Sequence, residues 1–198
     1  DPANSIFSNA SWAYSSDTSL PEYDPEKAKE LLAEAGYPDG FTIQLSTNQG
    51  NFFRELFVEF AQAELAKVGI DVELNKAEWG TFIGSVMDGN YEMRFHNQDS
   101  GVPDPNIVFP VYYTGGPNNW NSYSTDTVDK LLAQAASTPD LEVRKAAYNE
   151  VAEIITSELP NFPAFWRPNL LVANSNYENI TPSVLYNYGS IHQWRQKQ

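Results

Sequence analysis

The order of predicted elements between residues 41 and 95 constrains the fold most strongly. Residues 41–46 and 70–74 alternate apolar and polar side chains, and 91–95 forms a third short run, so all three predict strands. The two stretches between them have apolar residues three and four positions apart, as amphipathic helices do, and each ends at a glycine. Strands alternating with helices across short connections predict an α/β fold with a mixed, largely parallel sheet flanked by helices.

Helices are also predicted on both sides of this pattern. Asp24 suits an N-cap, Pro25 the first helical position and Gly36 the position after the last turn. Apolar stripes predict two more helices at 125–136 and 139–158. Residues 1–23 have little periodicity, so we expect a loop that leads into the folded part.

Composition argues against several classes of protein. The 198 residues include no cysteine, so there is no disulfide, thiol nucleophile or cysteine zinc site. The formal net charge of −14 repels phosphate groups, so we expect no nucleic-acid partner. The only histidines, His96 and His192, supply too few ligands for nickel or zinc. We therefore predict neither a metal nor a cofactor.

Catalytic motifs are absent from the sequence. It has no Gly-x-Ser-x-Gly, no His-Glu-x-x-His and no phosphate-binding Gly-Lys-Ser/Thr loop. We therefore predict a protein that is not an enzyme. A hydrolase of polysaccharide or peptide stays open as an alternative, because an acidic chain has many carboxylates and paired carboxylates hydrolyse glycosides.

The irregular stretch from His96 to about Ser124 is the predicted binding region. It follows the third predicted strand, and ligands of open α/β sheets gather beyond the carboxyl ends of strands. Aromatic rings and amides together suit sugars, and a carboxylate suits an ammonium group. The candidate ligand-binding residues are His96, Asn97, Gln98, Asp99, Asn119, Trp120 and Tyr123, with Trp79 at the start of a helix.

Each of these candidates also has a purely structural interpretation. Asp99 could bond its own backbone in a turn, Trp79 could be a core aromatic residue, and 118–123 could be a solvated loop. Asp104, between two prolines, is expected to be structural, and Phe82 is expected to lie in the core.

A series of motifs follows in order along residues 12–195. The matching runs are 23–41, 61–73, 78–83, 103–105, 123–132 and 159–163, with Arg144 and Tyr148. Examples are Tyr-Asp-Pro-Glu-Lys-Ala at 23–28 and Pro-Asp-Pro at 103–105. Their order resembles the peptide/nickel-type solute-binding proteins of ABC importers.

This resemblance implies a lobe of a two-lobed protein that closes on its ligand. It implies that 1–165 form the C-terminal ligand-binding lobe and that 166–198 return toward a missing N-terminal lobe, with a hinge crossing near 164–167. The implied partners are a small oligomeric ligand, the missing lobe and the membrane subunits of an ABC importer. The implied location is periplasmic or extracytoplasmic, with a lipoprotein tether on the missing N-terminus as one option.

One departure from the resemblance bears on the ligand. Peptide-binding relatives have a Trp after the third strand and, three residues later, an Asp that holds the ligand's amino group. Those positions fall on Gln98 and Gly101, and Asp99 lies two positions early. A buried ammonium needs a charged acceptor, so either Asp99 or Asp104 supplies it or the ligand has no free amine. A small oligopeptide is the first predicted ligand, and an oligosaccharide is the alternative.

Overall fold

The computed structural model describes residues 2–97, 104–166, 171–181 and 191–197, which belong to two compact units. An α/β unit spans Pro21–Gln98, and a helical unit combines Asp1–Leu20 with Asp99–Gln198. Each unit has a hydrophobic core of its own. Among the described residues, no helix combines the length and the apolar character needed to cross a bilayer.

The α/β unit is a three-stranded sheet with helices between its strands. The strand order is β2–β1–β3 and both pairings are parallel, with Phe41 opposite Ile70 and Leu45 opposite Met93. The predicted fold class is therefore confirmed. Its elements are α1 Pro25–Glu34, β1 Phe41–Asn48, α2 Phe52–Ala66, β2 Ile70–Ala77, α3 Trp79–Met87 and β3 Met93–Arg94.

A close backbone approach sets the start of the sheet. Gly40, directly before β1, has a φ of +76°, a conformation that favours glycine. A Cβ at this position would lie 1.8 Å from the carbonyl oxygen of Gly69, directly before β2. Behind the sheet, Val58 of α2 packs against Leu45 and Val72, all buried.

The helical unit is organised around two helices that share one core. A 3₁₀ turn at Pro105–Val108 leads into the short α4, Phe109–Tyr112, which is followed by α5 Asp126–Ser137 and α6 Leu141–Glu158. A two-stranded antiparallel ribbon, β4 Tyr177–Glu178 and β5 Arg195–Gln196, lies later in the chain. The core comprises Phe7, Ala13, Val108, Tyr112, Val128, Leu132, Ala135, Ala147, Tyr148, Val151, Ala152 and Ile155.

Residues 2–23 form a loop, as predicted for 1–23, but part of it is core. Residues 2–20 contain no helix, and their β-structure is limited to an isolated antiparallel bridge between Pro2 and Phe165. Phe7 and Ala13 are nevertheless buried, and Phe7 packs edge-on against Tyr148 of α6. The segment is therefore an integral part of the helical unit.

Candidate functional site

The parallel strands of the α/β unit bring three chain segments to one edge of the sheet. β1 ends at Asn48, and β2 ends at Ala77, two residues before Trp79. After β3, the Phe95 N–H donates to the Ser46 carbonyl at 2.9 Å, which holds the following segment beside β1. The carboxyl edge of a parallel sheet is where open α/β folds bind ligands, so this edge is the candidate site.

Both helices that begin at this edge are capped by side chains. Asn51 accepts from the Arg54 N–H at 3.2 Å, and Glu78 accepts from the Gly80 N–H at 2.7 Å. Such caps bind N–H groups that have no partner within the helix. The first turns of α2 and α3 are thereby positioned, and these turns contain Arg54 and Trp79.

Arg54 contacts all three segments that meet at this edge, through Asn48, Trp79 and Asn97. Its side chain is buried, at 7% exposed, and its Nε donates to Asn97 Oδ1 at 2.6 Å. Its Nη1 donates to Asn48 Oδ1, and the guanidinium carbon lies 5.5 Å from the centre of the Trp79 ring. One planar cation thus orients two carboxamides and one indole at the same edge.

The aromatic side chains of the edge form a stack in which Trp79 is the most exposed ring. The His96 ring lies 6.1 Å from Trp79 and 6.3 Å from Phe82, with interplanar angles of 22° and 26°. Phe82 is buried as predicted, whereas Trp79 is 46% exposed. An indole held by neighbours yet open to solvent can stack against a planar or apolar part of a ligand.

The helical unit has a second arrangement of arginine and aromatic rings, which is only partly buried. Arg144 Nη2 donates to both carboxylate oxygens of Asp104, at 2.6 and 2.9 Å. Its guanidinium carbon lies 5.0 Å from the ring centre of Trp12 and 5.8 Å from that of Tyr148. Burial raises the pKa of Asp104, but the hydrogen bonds from Arg144 and the Asn106 N–H outweigh burial and hold this pKa below its usual range.

An open groove of about 760 Å³ lies beside this ion pair. Its walls are the Asp104–Arg144 pair, Asn106, Ile107 and Pro110, the end of α5 and the turn that follows α5. Because the two charged groups bind each other, we interpret this groove as a consequence of packing. The structural role predicted for Asp104 agrees with that geometry.

The loop between α4 and α5 is held by hydrogen bonds within the loop and to the end of α6. Asn119 Nδ2 donates to the carbonyls of Tyr113 at 3.0 Å and Tyr123 at 2.6 Å, and Asn119 Oδ1 accepts from the Tyr123 N–H at 3.0 Å. The Tyr123 hydroxyl donates to Glu158 at 2.6 Å. Burial, followed by this hydrogen bond to a carboxylate, raises the pKa of Tyr123.

Comparison with known proteins places the chain in a family. Residues 1–120, more than half of the sequence, match the model described as bacterial extracellular solute-binding proteins, family 5 Middle. The chain belongs to this family. The resemblance inferred from the motifs is therefore confirmed. The family's description as extracellular agrees with the extracytoplasmic location that the resemblance implied.

The alignments with individual relatives cover most of this chain but only part of each relative's own length. The oligopeptide-binding protein AppA of Bacillus subtilis (strain 168) is 28% identical over 93% of this chain and 37% of its own length. Heme-binding protein A of Haemophilus influenzae is 30% identical over 77% of this chain and 29% of its own. The solved structure of the ABC transporter-associated periplasmic binding protein DppA from Helicobacter pylori, in complex with the peptide STSA, is also similar. It has 32% identity, covers 83% of this chain and 33% of DppA, and gives a TM-score of 0.76. The chain spans about a third of the length of these relatives.

The structure of this family member brings three of the predicted site residues together. Trp79, His96 and Asn97 all lie at the carboxyl edge of the sheet. Gln98 and Asp99 lie outside the described residues. Asn119, Trp120 and Tyr123 belong to the helical unit. Ligand contact by any of these eight residues stays a prediction.

Sequence reasoning missed two members of the edge, Asn48 and Arg54. The available signals were weak: an asparagine that closes a strand, and an arginine in the first turn of the next helix. Within the described parts of the chain, no three His, Asp or Glu side chains lie close enough together to hold a metal ion. The described part of the edge offers hydrogen bonds, aromatic surface and a guanidinium held in place, which suit non-covalent binding.

Proposed function

We propose that this chain is a ligand-binding lobe of an importer receptor and that it binds a short peptide at the carboxyl edge of its parallel sheet. The observation that supports this most directly is the Arg54 arrangement, in which Asn48, Asn97 and the half-exposed Trp79 are held at one edge. Amides that bond peptide groups and an indole that packs on side chains are a suitable combination for an oligopeptide.

The proposed mechanism is closure of two lobes on the ligand. Residues 1–165 act as the C-terminal lobe, and 166–198 return toward an N-terminal lobe across a hinge near 164–167. A peptide that touches both lobes binds the closed form more tightly, and this difference in affinity shifts the population toward closure. The closed receptor then docks on the membrane subunits of an ABC importer, outside the cytoplasm, with a lipid tether at the N-terminus.

The ion pair between Asp104 and Arg144 favours Asp99 over Asp104 as the acceptor for the peptide's amino group. Arg144 already binds both oxygens of the Asp104 carboxylate. An ammonium at Asp104 would have to compete with the Arg144 guanidinium, whose Nη2 already contacts both carboxylate oxygens. Asp99 is therefore the proposed acceptor, and blocking the peptide's amine should weaken binding.

Thermal unfolding of the complete two-lobed protein tests the proposal. A ligand at 100 times its Kd stabilises the folded state by about 2.7 kcal/mol, so binding appears as a higher Tm. We expect STSA and peptides of two to nine residues to raise the Tm, and N-acetylated peptides or oligosaccharides of matched size to have little effect. A rise with oligosaccharides alone would replace peptide by sugar as the ligand, and no rise with either would contradict the receptor function.

Product analysis tests whether the protein is a hydrolase. After prolonged incubation with each peptide that raises the Tm, we expect mass spectrometry to recover the peptide intact. Cleaved peptide that increases in proportion to protein concentration would contradict the proposal that the protein only binds.

A further inference from the structure

A further aromatic ring, that of Phe53, lies at the start of α2 close to the candidate site. Phe53 is 56% exposed and directly precedes the buried Arg54. α2 carries the chain from the end of β1 back to the start of β2, so its first turn lies at the carboxyl edge of the sheet. The Phe53 ring is therefore at the level of this edge, as is Trp79 at the start of α3.

The side of α2 that carries Phe53 faces the segment after β3. Phe57 lies one helical turn after Phe53 on the same side, because residues four apart are neighbours on a helix. Its ring stacks on Phe95, with the ring centres 4.0 Å apart and an interplanar angle of 24°. Phe95 is two residues before Asn97, whose Oδ1 accepts from Arg54 Nε at 2.6 Å. Phe53 is one turn closer to the edge than this stack, which places it beside the segment that contains Asn97.

Phe53 and Trp79 approach the edge from opposite faces of the sheet. The chain passes through α2 from β1 to β2 on one side, and then through α3 from β2 to β3 on the other side of β1. Crossovers between parallel strands are right-handed, so two crossovers in opposite directions place their helices on opposite faces. Trp79 is 46% exposed. Two aromatic rings that are both open to solvent therefore flank the end of β1.

The polar groups between these two rings are held in place. Arg54 donates to the carboxamides of Asn48 and Asn97, and Glu55 accepts from the Gly50 N–H at 2.6 Å. A single exposed apolar residue is common on protein surfaces and indicates nothing by itself. Ligand sites, however, combine aromatic walls with a few polar groups that fix orientation, and preorganised groups bind at a smaller cost in entropy. Phe53 completes such a combination at the edge.

We propose that Phe53 is a further ligand contact and that, together with Trp79, it makes the site selective for peptides with a large apolar or aromatic side chain. This inference rests on the proposed function, because it names the class of peptide that the same edge binds. The side chain of the peptide packs against the Phe53 ring, while the polar groups of the edge orient the peptide backbone. Peptides whose side chains are all small or charged lack that contact.

Calorimetric titration of the complete two-lobed protein measures this selectivity. The probes are STSA and versions of it in which each position in turn is replaced by alanine, phenylalanine or lysine. At the position whose side chain reaches Phe53, we expect phenylalanine to lower the Kd about fivefold relative to alanine, as the packing of one aromatic pair does. Lysine at the same position should give no such gain.

Substitutions of Phe53 show whether the gain comes from this ring. Phe53→Ser should remove the preference, so that the ratio of the Kd values for alanine and phenylalanine falls to about 1. Phe53→Leu should retain part of the preference, because it keeps an apolar side chain at the edge. The matched control is Phe60→Ser. Phe60 is 59% exposed on the same helix but lies about two turns farther from the edge, so this variant should keep the wild-type ratio.

The possible results separate selectivity from the proposed function. If the wild type binds no peptide, the proposed function fails and the selectivity fails with it. If the wild type binds peptides without preferring phenylalanine at any position, or prefers lysine, the proposed function stands and the inference is wrong. The inference is also wrong if Phe53→Ser weakens the binding of all the peptides by the same factor. An equal loss of preference in Phe60→Ser would overturn it as well, because the effect would then not come from contact at the edge.

Discussion

The two units each pack an arginine against a tryptophan, yet they bind the two guanidinium groups in different ways. In the helical unit, Arg144 lies over Trp12 and donates to both oxygens of Asp104. In the α/β unit, Arg54 lies against Trp79, and its described hydrogen bonds go to carboxamide oxygens.

The difference separates a structural role from a positioning role. The Arg144–Asp104 pair joins α6 to the segment before the 3₁₀ turn, and its charged groups bind each other. Arg54 instead orients the amides of Asn48 and Asn97 at the edge of the sheet that is proposed to bind ligand. In the described hydrogen bonds, Arg144 binds a carboxylate and Arg54 binds amide oxygens, although both guanidinium groups lie against a tryptophan.

The helices that contain these arginines also differ in how many of their residues they bury. α6 buries six of its residues, including Val151 and Ile155, whereas α2 buries only Arg54 and Val58. The helical unit thus uses its long helix for core packing, and the α/β unit leaves one face of its long helix open.

Substitutions in the two helices should show the largest contrast. Ile155→Ala in α6 removes a side chain that is fully buried. We expect it to lower the free energy of unfolding by about 3–4 kcal/mol, as large-to-small changes in packed cores do. Phe60→Ala in α2 should change it by less than about 0.5 kcal/mol, because this side chain is mostly exposed. Urea unfolding followed by circular dichroism measures both, and similar losses would remove the contrast.

The amino end of the sheet provides a second and smaller effect. Gly40→Ala puts a Cβ 1.8 Å from the Gly69 carbonyl oxygen in a left-handed conformation, so the backbone must shift. Gly36 is the matched control, since it also has a positive φ, +93°, but has open space around it. We expect Gly36→Ala to cost about 1 kcal/mol and Gly40→Ala at least about 1 kcal/mol more. Equal costs would mean that the sheet start can relax.

The two arginines can be separated by measuring stability and binding in the same variants. Arg54→Gln should lower the free energy of unfolding by about 2 kcal/mol, because a buried arginine loses hydrogen bonds made by a charged group. Arg144→Gln should lower it by about 1 kcal/mol, because its carboxylate partner is 44% exposed and screened by solvent. Only Arg54→Gln should also weaken peptide binding in the complete protein, by about tenfold. Arg54→Lys should recover part of the stability but not the affinity, since an ammonium cannot reproduce the fork of a guanidinium. If Arg54→Gln changes stability alone, Arg54 is structural in the same sense as Arg144.

Much of the fold was predictable because its signals are local. The strands predicted at 41–46 and 70–74 correspond to Phe41–Asn48 and Ile70–Ala77, since alternation of side chains is visible within a few residues. The third strand was predicted at 91–95 and is regular only at Met93–Arg94. The burial of Phe7 was not predictable, because the loop around it has no period and its partner Tyr148 is distant in sequence.

The candidate site was predictable only in part, for a related reason. Trp79, His96 and Asn97 follow predicted strands, so the rule about carboxyl ends selects them. Arg54 lies on a helix that also contains other charged residues. A charged residue on a helix is normally exposed to solvent, so no feature of the sequence indicates that Arg54 is buried. Its burial depends on Asn48 and Asn97, which approach it only when the parallel sheet has formed.

The smallest predicted effect concerns pH, and it tests whether the Arg144 pair is purely structural. Since the pKa of Asp104 is lowered in the folded state, its contribution to stability is complete above the ordinary Asp pKa of about 4 and is lost as the pH falls through the lower folded value. The Asp104 side chain is 44% exposed, so solvent screening should keep this contribution below about 1 kcal/mol. We expect the wild type to be more stable than Asp104→Asn at pH 7, and this difference to shrink toward pH 3. Using the difference cancels the titration of the other carboxylates, which both proteins share. A difference that is constant with pH would mean that the charge of Asp104 does not stabilise the helical unit, and the contrast between the two arginines would then rest on Arg54 alone.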